Sequence, residues 1–164
     1  MQPSTWLTWA HVILPFSFFV IGLTNRRFGL GYALALIAVT WTLIGLAVAG
    51  SLQFGVPATG IELPAMRTCI AFVAAAILGQ AIGATFFDRT RGVVWWHAPF
   101  FGALAGAIFY VLIFYVGAFA GTGAPWLSRM VVDFGLNAVL AILLLLPYAI
   151  LRPILRPMPG FGGY

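Results

Sequence analysis

The chain has 164 residues, 63% of them hydrophobic and 7% charged, against roughly 45–50% apolar and about 25% charged in an ordinary soluble domain. Such a composition excludes a domain built to be wetted on all sides. The net charge of +5 comes from arginines standing singly or in pairs between apolar runs, the pattern of membrane loop anchors and not of a nucleic-acid groove.

Crossing a hydrocarbon core of about 30 Å takes roughly 20 apolar residues as a helix. In chain order, the runs 6–24, 30–53, 66–87, 93–120 and 130–151 meet that length, followed by a tail at 152–164 rich in Pro and Arg. These predict an all-α integral membrane protein. It is a single transmembrane helical domain over 1–164, a bundle of about five transmembrane helices. The first charge, Arg26, lies beyond the first run, so that run is expected to be a retained helix and not a cleaved signal. Pro15 follows His11 by four residues and leaves the His11 carbonyl without its helical donor, which predicts a kink.

The interruptions join turn chemistry to charge: Asn25-Arg26-Arg27, Gly55 to Pro64 with Glu62, Asp88-Arg89-Thr90-Arg91-Gly92, and Gly121 to Ser128. Arginines alternate along them, with pairs at Arg26/Arg27, Arg89/Arg91 and Arg152/Arg156 and single ones at Arg67 and Arg129. The positive-inside rule then puts the N-terminus outside and the C-terminus in the cytoplasm, in a bacterial inner membrane. Trp6, Trp9, Trp95, Trp96 and Trp126 fall near predicted span ends, where headgroups favour indoles, while Trp41 lies mid-span.

Small residues recur every fourth position in the third span (Ala71, Ala75, Gly79, Gly83) and the fourth (Ala98, Gly102, Gly106). They suit close approach of helix backbones, either within the bundle or against a partner helix. Arg129, Asp133 and Asn137 share one face of the fifth span. Ionisable groups at membrane depth mark functional sites by default. The plainer alternative keeps Asp133 in the first turn, at the interface, paired with Arg129 and favoured by the helix dipole. Gln80 stands mid-span beside the small-residue stripe, where an amide makes an interhelical hydrogen bond.

His11 and His97 are predicted at opposite membrane faces, which argues against a haem held by both and leaves each as a candidate single pigment ligand. A lone Cys69 cannot form an internal disulfide, and no ligand set for a metal stands out. No cofactor is required by the sequence, although a pigment or lipid would fit it. With three acidic residues and no Ser-His-Asp, HExxH, paired-carboxylate or glycine-cradle pattern, a catalytic set cannot be assembled, and the chain reads as a non-enzyme.

The string Leu136-Asn137-Ala138-Val139-Leu140-Ala141, then Pro147 and Arg152, resembles the end of the rod shape-determining protein MreD family. Gly83 to Phe87, followed by Asp88-Arg89-Thr90-Arg91-Gly92 and His97-Ala98, is similar to that family's Gly-rich helix and the turn after it. The resemblance implies a membrane scaffold for cell-shape control and wall elongation, bound to a bitopic partner of the MreC type and to wall-synthesis enzymes. The residues taken alone point to a non-catalytic scaffold or accessory subunit, whose partners are other integral membrane proteins and lipids. Two alternatives remain. One is a small-molecule or ion transporter, which would need a polar cavity around Gln80, Asp133 and Asn137. The other is an accessory subunit of a photosynthetic or respiratory complex that holds a pigment or quinone.

Overall fold

The structure is a computed structural model, and it describes residues 10–53 and 66–159. Trp6, Trp9, Glu62 and the last five residues of the tail lie outside the described residues. All regular structure in the described residues is helical: α1 (Ala10–Phe28), α2 (Leu30–Gln53), α3 (Met66–Arg89), α4 (His97–Phe119), α5 (Trp126–Leu143) and α6 (Leu145–Leu151). Four stretches are long and apolar enough to cross a membrane: Leu30–Gly50, Met66–Arg89, His97–Phe119, and Trp126–Leu151, which joins α5 to α6. The 19 residues of α1 run about 28 Å at 1.5 Å rise, and they include His11, Asn25, Arg26 and Arg27.

The second span has the ends the sequence predicts, and the others differ for local reasons. Val93 to Trp96 continue the turn after Asp88, so α4 begins at His97, with Pro99 in its first turn where a missing N–H does no harm. The last span starts at Trp126, with α5, behind Pro125, and not at Met130. That span is also broken in two at Leu144. Pro147 has no N–H for the Leu143 carbonyl four residues earlier, and the backbone yields there.

Two glycines turn the chain. Gly29, at φ 85°, accepts a left-handed conformation that closes α1, its N–H bonding the Asn25 carbonyl at 2.8 Å, and α2 begins at the next residue. Gly121, at φ 80°, does the same after α4.

α3 and α4 form the centre of the bundle, an antiparallel pair whose small residues meet. A Cβ built on Gly79 would lie 2.9 Å from the Gly106 carbonyl oxygen, and one on Gly83 the same distance from that of Gly102. Ala75 is fully buried in the adjoining core with Ala71, Tyr110 and Phe114. The small-residue stripes therefore pack on each other within the chain, and that face is occupied without a partner helix. Aromatic rings fill the seam toward the α4 C-terminus: Tyr110 stacks on Phe114 at 5.8 Å, and Phe72 meets both edge-on.

α1 runs across the pair and touches α2, α3, α4 and α5. α2 leans on the bundle through Ala33, Ile37 and Trp41, and its remaining apolar surface, such as Leu43 and Leu46, faces outward. A helix that is apolar all round with most of it exposed is at home in lipid. At the end of the bundle near the start of α3, the exposed Arg67 donates to the carbonyls of Gly117 (2.7 Å) and Ala120 (2.8 Å), closing the C-terminus of α4 with a cation.

Candidate functional site

Within an apolar bundle the positions of polar side chains locate any chemistry, because each costs free energy unless it is partnered or used. The described residues hold three polar assemblies, at different levels of the bundle, and α1 contributes to each.

The first joins α1, α4 and α5. Asp133 is fully buried, with Asn137 and His11 nearly so. His11 brings its Nε2 to 3.8 Å from Asp133 Oδ2, while Asn137 Nδ2 donates to Asp133 Oδ1 at 3.0 Å and to the Asp133 carbonyl at 2.9 Å. Tyr115 of α4, also buried, faces the same carboxylate. Asp133 is thus neither shallow nor paired with Arg129, the interfacial arrangement considered from the sequence. Because α5 begins four residues before the predicted start, Asp133 falls about two turns into the helix. Arg129, half-buried, stands a turn nearer the helix end.

Asp133 Oδ2 and Asn137 Oδ1 are buried without a hydrogen-bond donor. Buried acceptors of this kind, one on a carboxylate that only His11 and Tyr115 approach from other helices, are uncommon in a folded core and call for an explanation. Two acceptor oxygens on neighbouring turns of α5, beside an imidazole and a phenol, form an arrangement whose chemistry suits donor-rich polar groups.

The second assembly is centred on Gln80. Its Oε1 accepts from Trp41 Nε1 at 2.8 Å, its Nε2 donates to Ser17 Oγ at 2.8 Å, and Ser17 Oγ donates to the Leu14 carbonyl at 2.6 Å. Three helices are tied by one amide that is satisfied at both ends. Gln80 is therefore committed elsewhere and does not join Asp133 and Asn137, so the single polar cavity around all three is not formed. Trp41, the mid-span exception among the tryptophans, is there because its indole N–H needs this acceptor.

The third lies at the end of the bundle where α1, α3 and α6 finish. An open cavity of about 660 Å³ is bordered by Arg26, Asp88, Arg91, Trp95, Tyr148 and Arg152. Asn25, fully buried although it belongs to a predicted loop, holds one of these arginines: its Nδ2 donates to the Ala84 carbonyl at 2.8 Å, and its Oδ1 accepts from Arg91. Arg91 also pairs with Asp88 at 3.0 Å. Arginines from the first loop, the third loop and the tail thus gather at one end, with Arg67 at the other, which is the alternation counted in the sequence.

His97 stands at the α4 N-terminus, between Trp95 and Ala98 of that cavity's lining, and enters none of these polar contacts, its ring 4.4 Å from that of Trp96 and 5.6 Å from that of Phe101. The sequence reading missed Tyr115, Ser17 and Asn25. Of these only Asn25 carried a signal, as a polar residue directly before the arginines.

Fold and polar core together define a multi-pass helical membrane protein. No protein-family model matches the chain, and no solved structure matches it. Among curated proteins, it is 29% identical over 167 aligned residues to a protein of Haemophilus influenzae described as a "Probable queuosine precursor transporter", covering 92% of this chain and 71% of the relative. This likeness covers most of the chain and points to a family other than MreD, so the resemblance to MreD and the cell-shape scaffold built on it are set aside.

Proposed function

We propose that this chain is a non-catalytic membrane transporter for a small polar solute of the queuosine-precursor kind, seated in the cytoplasmic membrane. The observation that carries the reading is the similarity over 92% of the chain to a protein described as such a transporter. The buried cluster supports it. A membrane protein that only packed helices would gain nothing from a carboxylate with one oxygen undonated at its core. Asp133, Asn137, His11 and Tyr115 supply acceptors and donors from three helices, and a solute crossing there meets groups that replace its water. Of that set, the last span is broken at Leu144, and α1, though a continuous helix, carries Pro15, which removes one backbone hydrogen bond; broken or weakened helices are where transporter backbones yield.

The orientation proposed is N-terminus outside and C-terminus inside, with Arg26, Arg91 and Arg152 at the cytoplasmic end. A C-terminal reporter that is active only in the cytoplasm tests this.

For transport, the chain is expressed in bacteria that neither make nor import the precursor, and labelled precursor in the cells and queuosine in their tRNA are measured. Wild type restores both, and Asp133→Asn loses most of the uptake at equal membrane abundance. Correctly inserted wild type that leaves cells at the empty-vector level refutes the proposal.

A further inference from the structure

The arginine-lined cavity has no role in the transport reading above, and its chemistry is of one sign. Three guanidinium groups from three separate chain segments border it, against the single carboxylate of Asp88, which is already paired with Arg91. Arg26 Nε is buried without an acceptor. Its nearest engagement is the Tyr148 hydroxyl, which faces the same cavity. The Arg152 backbone N–H bonds the Tyr148 carbonyl at 2.9 Å, while its guanidinium stands at the cavity wall. Arg91 is held in place by Asn25 and Asp88. One arginine is therefore fixed and the other two border the cavity with donor capacity the protein leaves unused, leaving about two positive charges without counter-charge from the protein.

We infer that this cavity is a binding site for a phosphate group, the phosphomonoester or phosphodiester of an anionic ligand. A phosphate oxygen accepts several charge-assisted hydrogen bonds at once, which is what planar guanidinium groups recognise best. The volume of about 660 Å³ lies within the range of small-ligand sites, well above what a monatomic anion needs. The group comes from one of two sources. A basic pocket between transmembrane helices at the cytoplasmic side takes the headgroup of an anionic lipid. Val93, Val94 and Trp95 on the rim, all exposed, would then lie against its acyl chains. A free phosphate or phosphorylated solute uses the same donors without the rim.

The test uses the purified full-length protein in neutral detergent, stripped of lipid, with thermal stability and native mass spectrometry as readouts. Phosphatidylglycerol, phosphatidylcholine, diacylglycerol and inorganic phosphate are titrated separately, with chloride matched for ionic strength. Phosphatidylglycerol alone stabilising the protein and remaining bound identifies the lipid source. Stabilisation by inorganic phosphate, beyond matched chloride, identifies the free one. In either case Arg152→Gln weakens the affinity about tenfold or more, and Arg26→Gln/Arg152→Gln removes it. Arg152→Gln keeps the backbone bond to Tyr148, so the single variant folds normally and keeps the test decisive if the double one does not. Equal binding by wild type and Arg152→Gln, or no response to any phosphate compound beyond chloride, overturns the inference. Neither outcome bears on solute uptake.

Discussion

Gly79→Ala adds a single methyl group, and the structure says where it goes. The new Cβ would lie 2.9 Å from the Gly106 carbonyl oxygen, 3.0 Å from Tyr110 Cβ and 3.3 Å from Tyr110 Cα. Two of those three atoms are backbone, so no rotamer change relieves the clash. Ordinary contact begins at 3.4 Å, and α3 must therefore move away from α4 by about 0.5 Å at that point. A gap of that size forfeits a quarter or more of each dispersion contact across it, and overpacking of this kind costs about 1–3 kcal/mol. In lipid nothing compensates, because tails are as apolar as the helix surfaces they replace. The assay is equilibrium unfolding in mixed micelles of rising SDS fraction, followed by tryptophan fluorescence. Gly45→Ala is the control: nothing lies within 4 Å of a Cβ there, and helix propensity alone predicts a change between zero and about 1 kcal/mol in the stabilising direction. If Gly79→Ala unfolds within about 0.3 kcal/mol of wild type, less than the overpacking range by a clear margin, then the α3–α4 seam is not in backbone contact and the packing argument fails.

Three further outcomes follow from the hydrogen bonds. Asn25→Ala removes the donor to the Ala84 carbonyl and the acceptor for Arg91, and leaves buried groups unmet, so the same unfolding titration should show a loss of about 1–3 kcal/mol. Trp41→Phe keeps the ring against Phe72 but removes the donor to Gln80. The loss should be about 0.6 kcal/mol, and a double-mutant cycle with Gln80→Leu should recover most of it as coupling. Arg67→Gln strips a cation from the α4 C-terminus at an exposed position; the expected loss is about 0.3–1 kcal/mol and should shrink as salt is raised.

Which parts could be read beforehand depends on how local their causes are. α2 is bounded by Gly29 on one side and by the end of an apolar run on the other, and both signals are sequential. The break at Leu144 also had its cause in view, since Pro147 removes the bond to the carbonyl four residues back. The depth of Asp133 did not, because it depended on whether the helix began at Trp126 or at Met130, a difference of one turn that carries a carboxylate from the interface into the core. A lone amide such as Gln80 announces a bond across helices, but no spacing rule selects Trp41 and Ser17 as its partners. The approach of His11 to Asp133 joins residues at nearly opposite ends of the chain and is set by tertiary packing alone.

The same division explains why the MreD resemblance misled. In the string Leu136 to Ala141 only Asn137 and Ala141 are buried, and Val139 is about half exposed toward what would be lipid. At a lipid-facing position any apolar residue serves, so agreement there records the solvent and not the ancestry. A likeness that covers 92% of the chain samples inward and outward faces alike and is the weightier observation. The distinction can be measured within that one segment. Val139→Leu should leave both unfolding and uptake unchanged. Asn137→Ala, two residues away on the inner face, removes the donor to Asp133 Oδ1 and to the Asp133 carbonyl; it should destabilise by about 1–3 kcal/mol and lower uptake by more than the loss of folded protein explains. Equal effects of the two substitutions on uptake per folded molecule would mean that the inner face of α5 carries no more function than the outer one, and the proposed site would have to be sought elsewhere in the bundle.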